Sequence, residues 1–457
     1  MLDSMLHALG QPRALASRVH VDGYGDLPSV FPVSDLAVAS VSAAALAVAS
    51  LLARRHAQAP AVRVDRARAS YWFSQSLHPI GWQLPPAWDA FAGDYRTADG
   101  WIRLHTNAPA HRAAALRALE IRADSPLADR DGIAEVLRGL RASELEARVV
   151  AEGGCAAQMH TAQEWAAHPQ GRAVAQEPLI ALMPATAGGR PPRWLLEQAC
   201  PLRGVRVLDL TRILAGPVAT RFLAGHGADV LRIDPPGWDE PALAPEVTLG
   251  KRRARLDLRS ARGMAVFERL LAGADVLVHG YRSDALETLG IGAARRRALN
   301  PRLVDVALDA YGWTGPWASR RGFDSLVQMS SGIAAAGMRL RGSDRPVPLP
   351  VQALDHAAGY LLAAAAVTGL AHVVDHGRGS DVRISLARTA RLLTDASTPC
   401  DTQGVPLPGP APDDFSATLE STPWGSARRL RAPYAIDGSP VHWDRPAGRL
   451  GDSAPSW

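Results

Sequence analysis

The sequence predicts an α/β protein: a mostly parallel sheet covered by helices on both faces, with a smaller α+β domain beside it. Three observations predict this class. From Arg203 onward, continuously apolar strands alternate with helices, the pattern of strands buried on both faces. Upstream, a hairpin pattern followed by several helices occupies residues 92–190. Finally, one Ala-rich helix with its following strand occurs twice.

The opening "MLDSMLHALGQPRALASR" has no positive start followed by an apolar core, so no signal peptide is expected. The stretch "LAVASVSAAALAVASLLA", Leu36 to Ala53, is uncharged over 18 residues and could be mistaken for a membrane span. Ala and Ser dominate it, so its transfer into lipid gains little, and a buried helix is expected instead. Asp35 to Arg68 aligns without gaps on Asp355 to Arg388. Asp35 pairs with Asp355, Ala43–Ala45 with Ala363–Ala365, His56 with His376, and Val62-Arg63 with Val382-Arg383. Each copy reads as a buried helix, a short turn and an apolar strand. Both helices are expected to pack in or beside the sheet core.

"GDYRTADGWIRLHT" reads as two strands around an Asp-Gly turn, and "DRDGIAEVLRGLRASELEARVVAEGG" as helices. "ATAGGRPPRW", Ala185 to Trp194, reads as a linker. Then "RGVRVLDL", "ADVLRID", "ADVLVHG" and "RLVDVALDA" are strands separated by helices, the first with Pro217 in its opening turn. Ligands of such sheets bind beyond the carboxyl ends of the strands, which selects the loops Thr211–Gly216, Asp234–Trp238, His279–Arg282 and Asp309–Gly315. The expected organisation is a helix-strand unit over 1–91, a small α+β domain over 92–190, a sheet domain over 201–395 and an extended Pro/Gly-rich tail over 396–457.

The chain of 457 residues carries a net charge of +5, with its basic residues scattered. The absence of a basic run with interleaved aromatics argues against a nucleic-acid partner. A diffuse positive bias suits anionic small ligands such as phosphates or acyl-CoA. The single lysine, Lys251, stands among 49 arginines. The three cysteines are widely spaced and in no metal-ligand pattern, and read as reduced thiols in a cytoplasmic protein.

In "RRGFDSLVQMSSG" a lone carboxylate, Asp324, precedes an apolar stretch. It could be a helix N-cap, or a nucleophile held at a helix start. A dinucleotide dehydrogenase is disfavoured, because "DLTRILAGP" offers no G-x-G-x-x-G to bring backbone close to a pyrophosphate. Histidines at metal-ligand spacing and a G-x-S-x-G elbow are both absent from the sequence.

"GVRVLDLTRILAGPVATRFLAGHGADVLRIDPPG", "GKRRARLDLRSARG", "ADVLVHGYRSDALETLGIG" and "NPRLVDVALDAYGWTGPWASRRGFDSLVQMSSG" together resemble the family III CoA-transferases, the CaiB/BaiF group that includes α-methylacyl-CoA racemases. The resemblance runs from about 201 to 390, and residues 33 to 190 resemble the later part of the same family, so the segment order looks rearranged. It implies a Rossmann-like CoA-binding domain and a homodimer. The implied reaction passes CoA from an acyl-CoA to a carboxylic acid acceptor, through an aspartyl anhydride and an aspartyl-CoA thioester. By resemblance Asp324 in "GFD" is the catalytic carboxylate, and Lys251 in "GKR" and Arg282 supply cations towards CoA. Ile213, Leu214, Gly280 and Tyr281 complete the CoA site. Coenzyme A is then a substrate, and no metal or permanently bound cofactor is implied. Backbone N–H groups near Gly312 and Gly332 could stabilise the oxyanions. The chain departs from the family at Gly280-Tyr281, where an amide side chain is usual, and at Asp309-Ala310, where a Ser-Gly pair is usual. Racemases of the group carry His-Asp where this chain has Phe323-Asp324, so Phe323 favours transfer over racemisation. An inactive paralogue is the other alternative.

Overall fold

The fold is that of a computed structural model describing residues 1–55, 58–186, 192, 194–396, 399–400 and 404–457. His56 of the repeat and most of the 185–194 linker lie outside the described residues.

Seven strands form the main sheet: β1 (Ala181–Pro184), β2 (Arg206–Leu210), β3 (Asp229–Asp234), β4 (Lys251–Arg255), β5 (Val276–His279), β6 (Val304–Asp309) and β7 (Ser380–Ser385). Their order is β4-β3-β2-β5-β6-β7-β1. All pairings are parallel except β7 with β1. The central strands are buried on both faces because helices cover both, which explains their continuous apolar runs. The order reverses at β2, whose neighbours are β3 and β5, and that reversal opens a crevice at the strands' carboxyl ends. β1 follows the small domain in the chain yet closes the edge of the large sheet, so the chain crosses between the two before residue 190.

The repeat is present in three dimensions. Helices α1 (Val33–Leu52) and α2 (Ala353–His376) start at equivalent residues, with Pro32 and Gln352 in nearly the same conformation (φ −77°, ψ 69° and φ −75°, ψ 65°). Val33 N–H donates to Phe31 and Ala353 N–H to Val351, each at 2.8 Å. The strand after α1, Val62–Asp65, pairs in parallel with Val19–Asp22, as β7 pairs with β6. Its other neighbour, Tyr434–Ile436, is antiparallel, as β1 is to β7. The first copy therefore builds a three-stranded miniature of the β6-β7-β1 edge.

Both helices pass for membrane spans by length and hydropathy, but both are packed inside the protein and against each other. Ala43–Ala45 and Ala363–Ala365 are fully buried, so the small side chains let backbones come close. Gly359 shows the limit: a Cβ there would lie 2.5 Å from the Ala215 carbonyl oxygen.

The small domain pairs Gly93–Arg96, Trp101–Leu104 and Ala156–Gln158 in an antiparallel sheet backed by helices. The Pro/Gly-rich end of the chain differs from the extended arm expected of it. Residues Gly425–Arg429 pair with Leu77–Pro79, and Tyr434–Ile436 joins the first repeat copy. Trp443 stacks on Trp72, and the Trp457 indole donates to the Leu270 carbonyl. Aromatic anchors and short strand pairings hold a composition that would otherwise stay extended.

Candidate active site

A cleft of about 450 Å³ opens where the strand order reverses. Leu210–Gly216, Trp238, Gly280–Arg282 and Leu308–Ala310 line one side, so all four loops selected from the strand pattern converge there. The small domain closes the other side with Ala108, Ala110 and His111.

The loop after β2 is set by two buried ionic clusters. Asp209 accepts the Thr211 N–H at 2.8 Å, the Thr220 hydroxyl at 2.6 Å and the Lys251 ammonium at 3.1 Å. Lys251 also donates to the Pro217 carbonyl at 3.0 Å, and burial pushes its ammonium down to about 8. Lys251 is fully buried and does not line the cleft, so its charge holds the loop rather than facing it. In the second cluster, Arg232 bridges Asp234 at 2.9 Å and Glu240 at 2.6 Å. Glu240 in turn accepts the Ile213 N–H at 2.9 Å. Ile213 has φ +66°, a conformation that costs a β-branched residue energy and persists only where its surroundings fix it. Gly216 is obligatory: a Cβ there would lie 2.2 Å from the Thr211 side chain.

At this end of the cleft Arg212 lies between two rings, 4.9 Å from the Trp238 centroid and 5.2 Å from that of Tyr281. It also donates to the Tyr281 hydroxyl at 2.9 Å. The buried Nε of Arg212 and Nε1 of Trp238 have no hydrogen-bond partner among the described residues. Arg282 is partly exposed, with Asp284 3.9 Å away. Tyr281 and Arg282 thus stand together with Ile213, Leu214 and Gly280, while Arg212 and Trp238 were not singled out from sequence. Their signal was available only as two members of the selected loops.

At the opposite end the chemistry turns on two carboxylates. Asp324 begins the helix Asp324–Ser330 and is fully buried. One oxygen accepts the Gln328 amide and the other the Asp355 N–H at 2.8 Å, and neither reaches the cleft wall. Asp355, in the first turn of α2, does line the cleft. Asp324 thus also accepts from the backbone in the first turn of the neighbouring helix α2. Burial pushes its carboxyl up to about 6. The Asp355 carboxyl is raised further, first by burial and then by the Asp324 charge. Its repeat counterpart Asp35 is largely exposed and paired with Arg66, so the two copies share a backbone but not an environment.

Phe323 stacks on His105 of the small domain at 3.8 Å, giving it a docking role. Asp309 lines the cleft and accepts the N–H groups of Tyr311 and Gly312; burial pushes it up to about 8. The Gly312 N–H is therefore engaged by Asp309, while Gly332 packs against Thr161 and Ala162. Two small-domain side chains, the buried Gln170 and the half-buried Glu177, fix the adjoining loop. Gln170 bonds Tyr311, Thr314 and Trp317, while Glu177 accepts N–H groups from Trp313 and Thr314. Such tertiary partners leave no local pattern in the sequence.

This is a doubly wound α/β protein whose cleft presents cations and rings at one end and Asp355 at the other. Residues 202–418 match CoA-transferase family III. A probable fatty acyl-CoA transferase of Mycobacterium tuberculosis, Rv3272, is 29% identical over 54% of this chain and 68% of its own length. A succinate–glutarate CoA-transferase of Agrobacterium fabrum is 31% identical over 41% of this chain and 51% of its own length. The chain thus spans between about half and two thirds of these curated relatives. Among solved structures, Rv3272 aligns at 33% identity over 43% of this chain and 57% of that one, with TM-score 0.40. A CaiB/BaiF protein of Brucella suis aligns at 26% identity over 50% and 65%, with TM-score 0.39.

Proposed function

We propose that this chain transfers coenzyme A from an acyl-CoA to a carboxylic acid, with Asp355 as the carboxylate that carries the acyl group. One observation carries the assignment: of the two acids at the head of α2, only Asp355 faces the cleft.

An Asp355 oxygen attacks the thioester carbonyl, the C–S bond breaks, and CoA thiolate leaves with the electron pair. The thiolate then attacks the aspartyl carbonyl of the mixed anhydride, expelling the donor acid and leaving an aspartyl-CoA thioester. The acceptor carboxylate attacks that thioester, forming a second anhydride and releasing thiolate. Attack of the thiolate on the new acyl carbonyl yields the product acyl-CoA and restores Asp355. Arg212, Tyr281, Arg282 and Trp238 would hold the anionic nucleotide, with Ile213, Leu214 and Gly280 shaping its path. Lys251 would act through Asp209 on the loop that carries Ile213.

The reading is tested by incubating the protein with an acyl-CoA and then with hydroxylamine. A protein-bound hydroxamate and loss of activity are expected. Deuterium incorporation at the α-carbon in heavy water, with no adduct and no CoA exchange, would support a racemase instead.

A further inference from the structure

We infer that Asp309 enters the reaction as a neutral acid, donating a hydrogen bond from its Oδ2 hydroxyl to the thioester oxygen that becomes anionic when Asp355 attacks. The inference rests on the transferase reading and adds a catalytic residue to it.

Asp309 ends β6 and lines the cleft, yet it is only 5% exposed. Its Oδ1 accepts the Tyr311 N–H at 2.8 Å and the Gly312 N–H at 3.1 Å. Oδ2 has no hydrogen-bond partner among the described residues, although the carboxyl belongs to the cleft wall. The residue stands at the Asp355 end of the cleft. A Cβ on Gly322 would lie 2.6 Å from that of Ala310, and two residues further on Asp324 accepts the Asp355 N–H.

A buried carboxylate without a cation is costly, and taking up a proton removes that cost. The nearest charge is of the same sign: Glu177 sits on the same turn, accepting from Trp313 and Thr314. Across the cleft Asp355 is a second acid, and Arg320 is neutralised by Glu146 at 2.9 Å. Arg282, Arg321, Arg388 and His111, on the other elements around the turn, form no ion pair with Asp309. Burial, opposed in part by the Tyr311 and Gly312 N–H groups and reinforced by Glu177, pushes the carboxyl up to about 8. With Oδ1 accepting two N–H groups, the proton sits on Oδ2.

As the Asp355 oxygen bonds to the thioester carbon, the carbonyl π electrons move onto the carbonyl oxygen. Asp309 donates to that oxyanion without releasing its proton, and the charge leaves again when the carbonyl reforms and the C–S bond breaks. An ionised Asp309 could not donate, and would place a second negative charge beside the first.

The test is the pH dependence of CoA transfer. Wild-type kcat should fall as pH rises through about 8. Asp309→Asn keeps an acceptor for both N–H groups and offers a donor that does not titrate. It should retain kcat within about tenfold of wild type and lose that alkaline fall. Asp309→Ala should lower kcat roughly a hundredfold at pH 7 with KM little changed. The buried Lys251 ammonium also titrates at about 8, but its loss of charge would act on wild type and Asp309→Asn alike. An alkaline fall that persists unchanged in Asp309→Asn, or full turnover in Asp309→Ala, overturns the inference. Absence of turnover in the wild type would count against the transferase reading, and infrared difference spectra would then decide the role of Asp309. A protonated-carboxyl band at pH 7 that Asp309→Asn removes and acetyl-CoA shifts supports the donor; a missing band, or one indifferent to acetyl-CoA, overturns it.

Discussion

The carboxylate of Asp324 accepts the backbone N–H of Asp355 at 2.8 Å. Two acids 31 residues apart in the chain thus become one unit. Asp324 is held by donors from Gln328 and the first turn of α2, and Asp355 is left to face the cleft. Each then has a separate, measurable effect.

Replacing Asp355 with Asn removes the nucleophile and should lower CoA transfer by about a thousandfold or more, as loss of a covalent catalyst does. Circular dichroism should be unchanged. Near wild-type turnover would exclude Asp355 as the acyl carrier.

Asp324→Asn keeps an acceptor for the Asp355 N–H but removes the charge that holds the Asp355 proton. The acid limb of the pH–rate profile should therefore move to lower pH, with turnover retained on the alkaline side.

The same variant changes stability with a definite sign. The folded-state value of Asp324, about 6, lies above that of an unfolded aspartate. Its contribution is thus fully present below the unfolded value and is lost as pH rises through about 6. Between pH 4 and 7 the wild-type Tm should fall relative to that of Asp324→Asn, as thermal scans at several pH values would record.

The two cations assigned to CoA by resemblance should now part company. Arg282→Ala, like Arg212→Ala, should weaken acyl-CoA binding by about 1–2 kcal/mol in titration calorimetry. Lys251→Met leaves Asp209 buried and unpaired, and should cost the fold about 3–5 kcal/mol in chemical denaturation.

Much of the architecture could be read from the chain because its signals are local. Continuous apolar strands gave the parallel sheet, and the loops after them gave the cleft. The gapless match of Asp35–Arg68 to Asp355–Arg388 gave two equivalent buried helices. The acid pair was legible only in part. Asp324 stands out in "GFD", whereas Asp355 looks like an ordinary first-turn acid, and the sequence does not show which carboxylate faces solvent. The repeat paired Asp355 with Asp35 but not with its different surroundings. The roles of Lys251 with Asp209, and of Gln170 and Glu177 with the 311–317 loop, depend on contacts distant in sequence. The ordered C-terminal segment was missed because Trp443 and Trp457 anchor it through tertiary contacts that its composition does not reveal.

The most direct measurement is the position of the covalent adduct. The protein is incubated with acyl-CoA, quenched with hydroxylamine, digested, and its peptides sequenced by mass spectrometry. The hydroxamate should fall on Asp355, with the peptide carrying Asp324 unmodified. A hydroxamate on Asp324, or on neither residue while CoA transfer proceeds, would contradict the assignment of the cleft-facing acid as the acyl carrier.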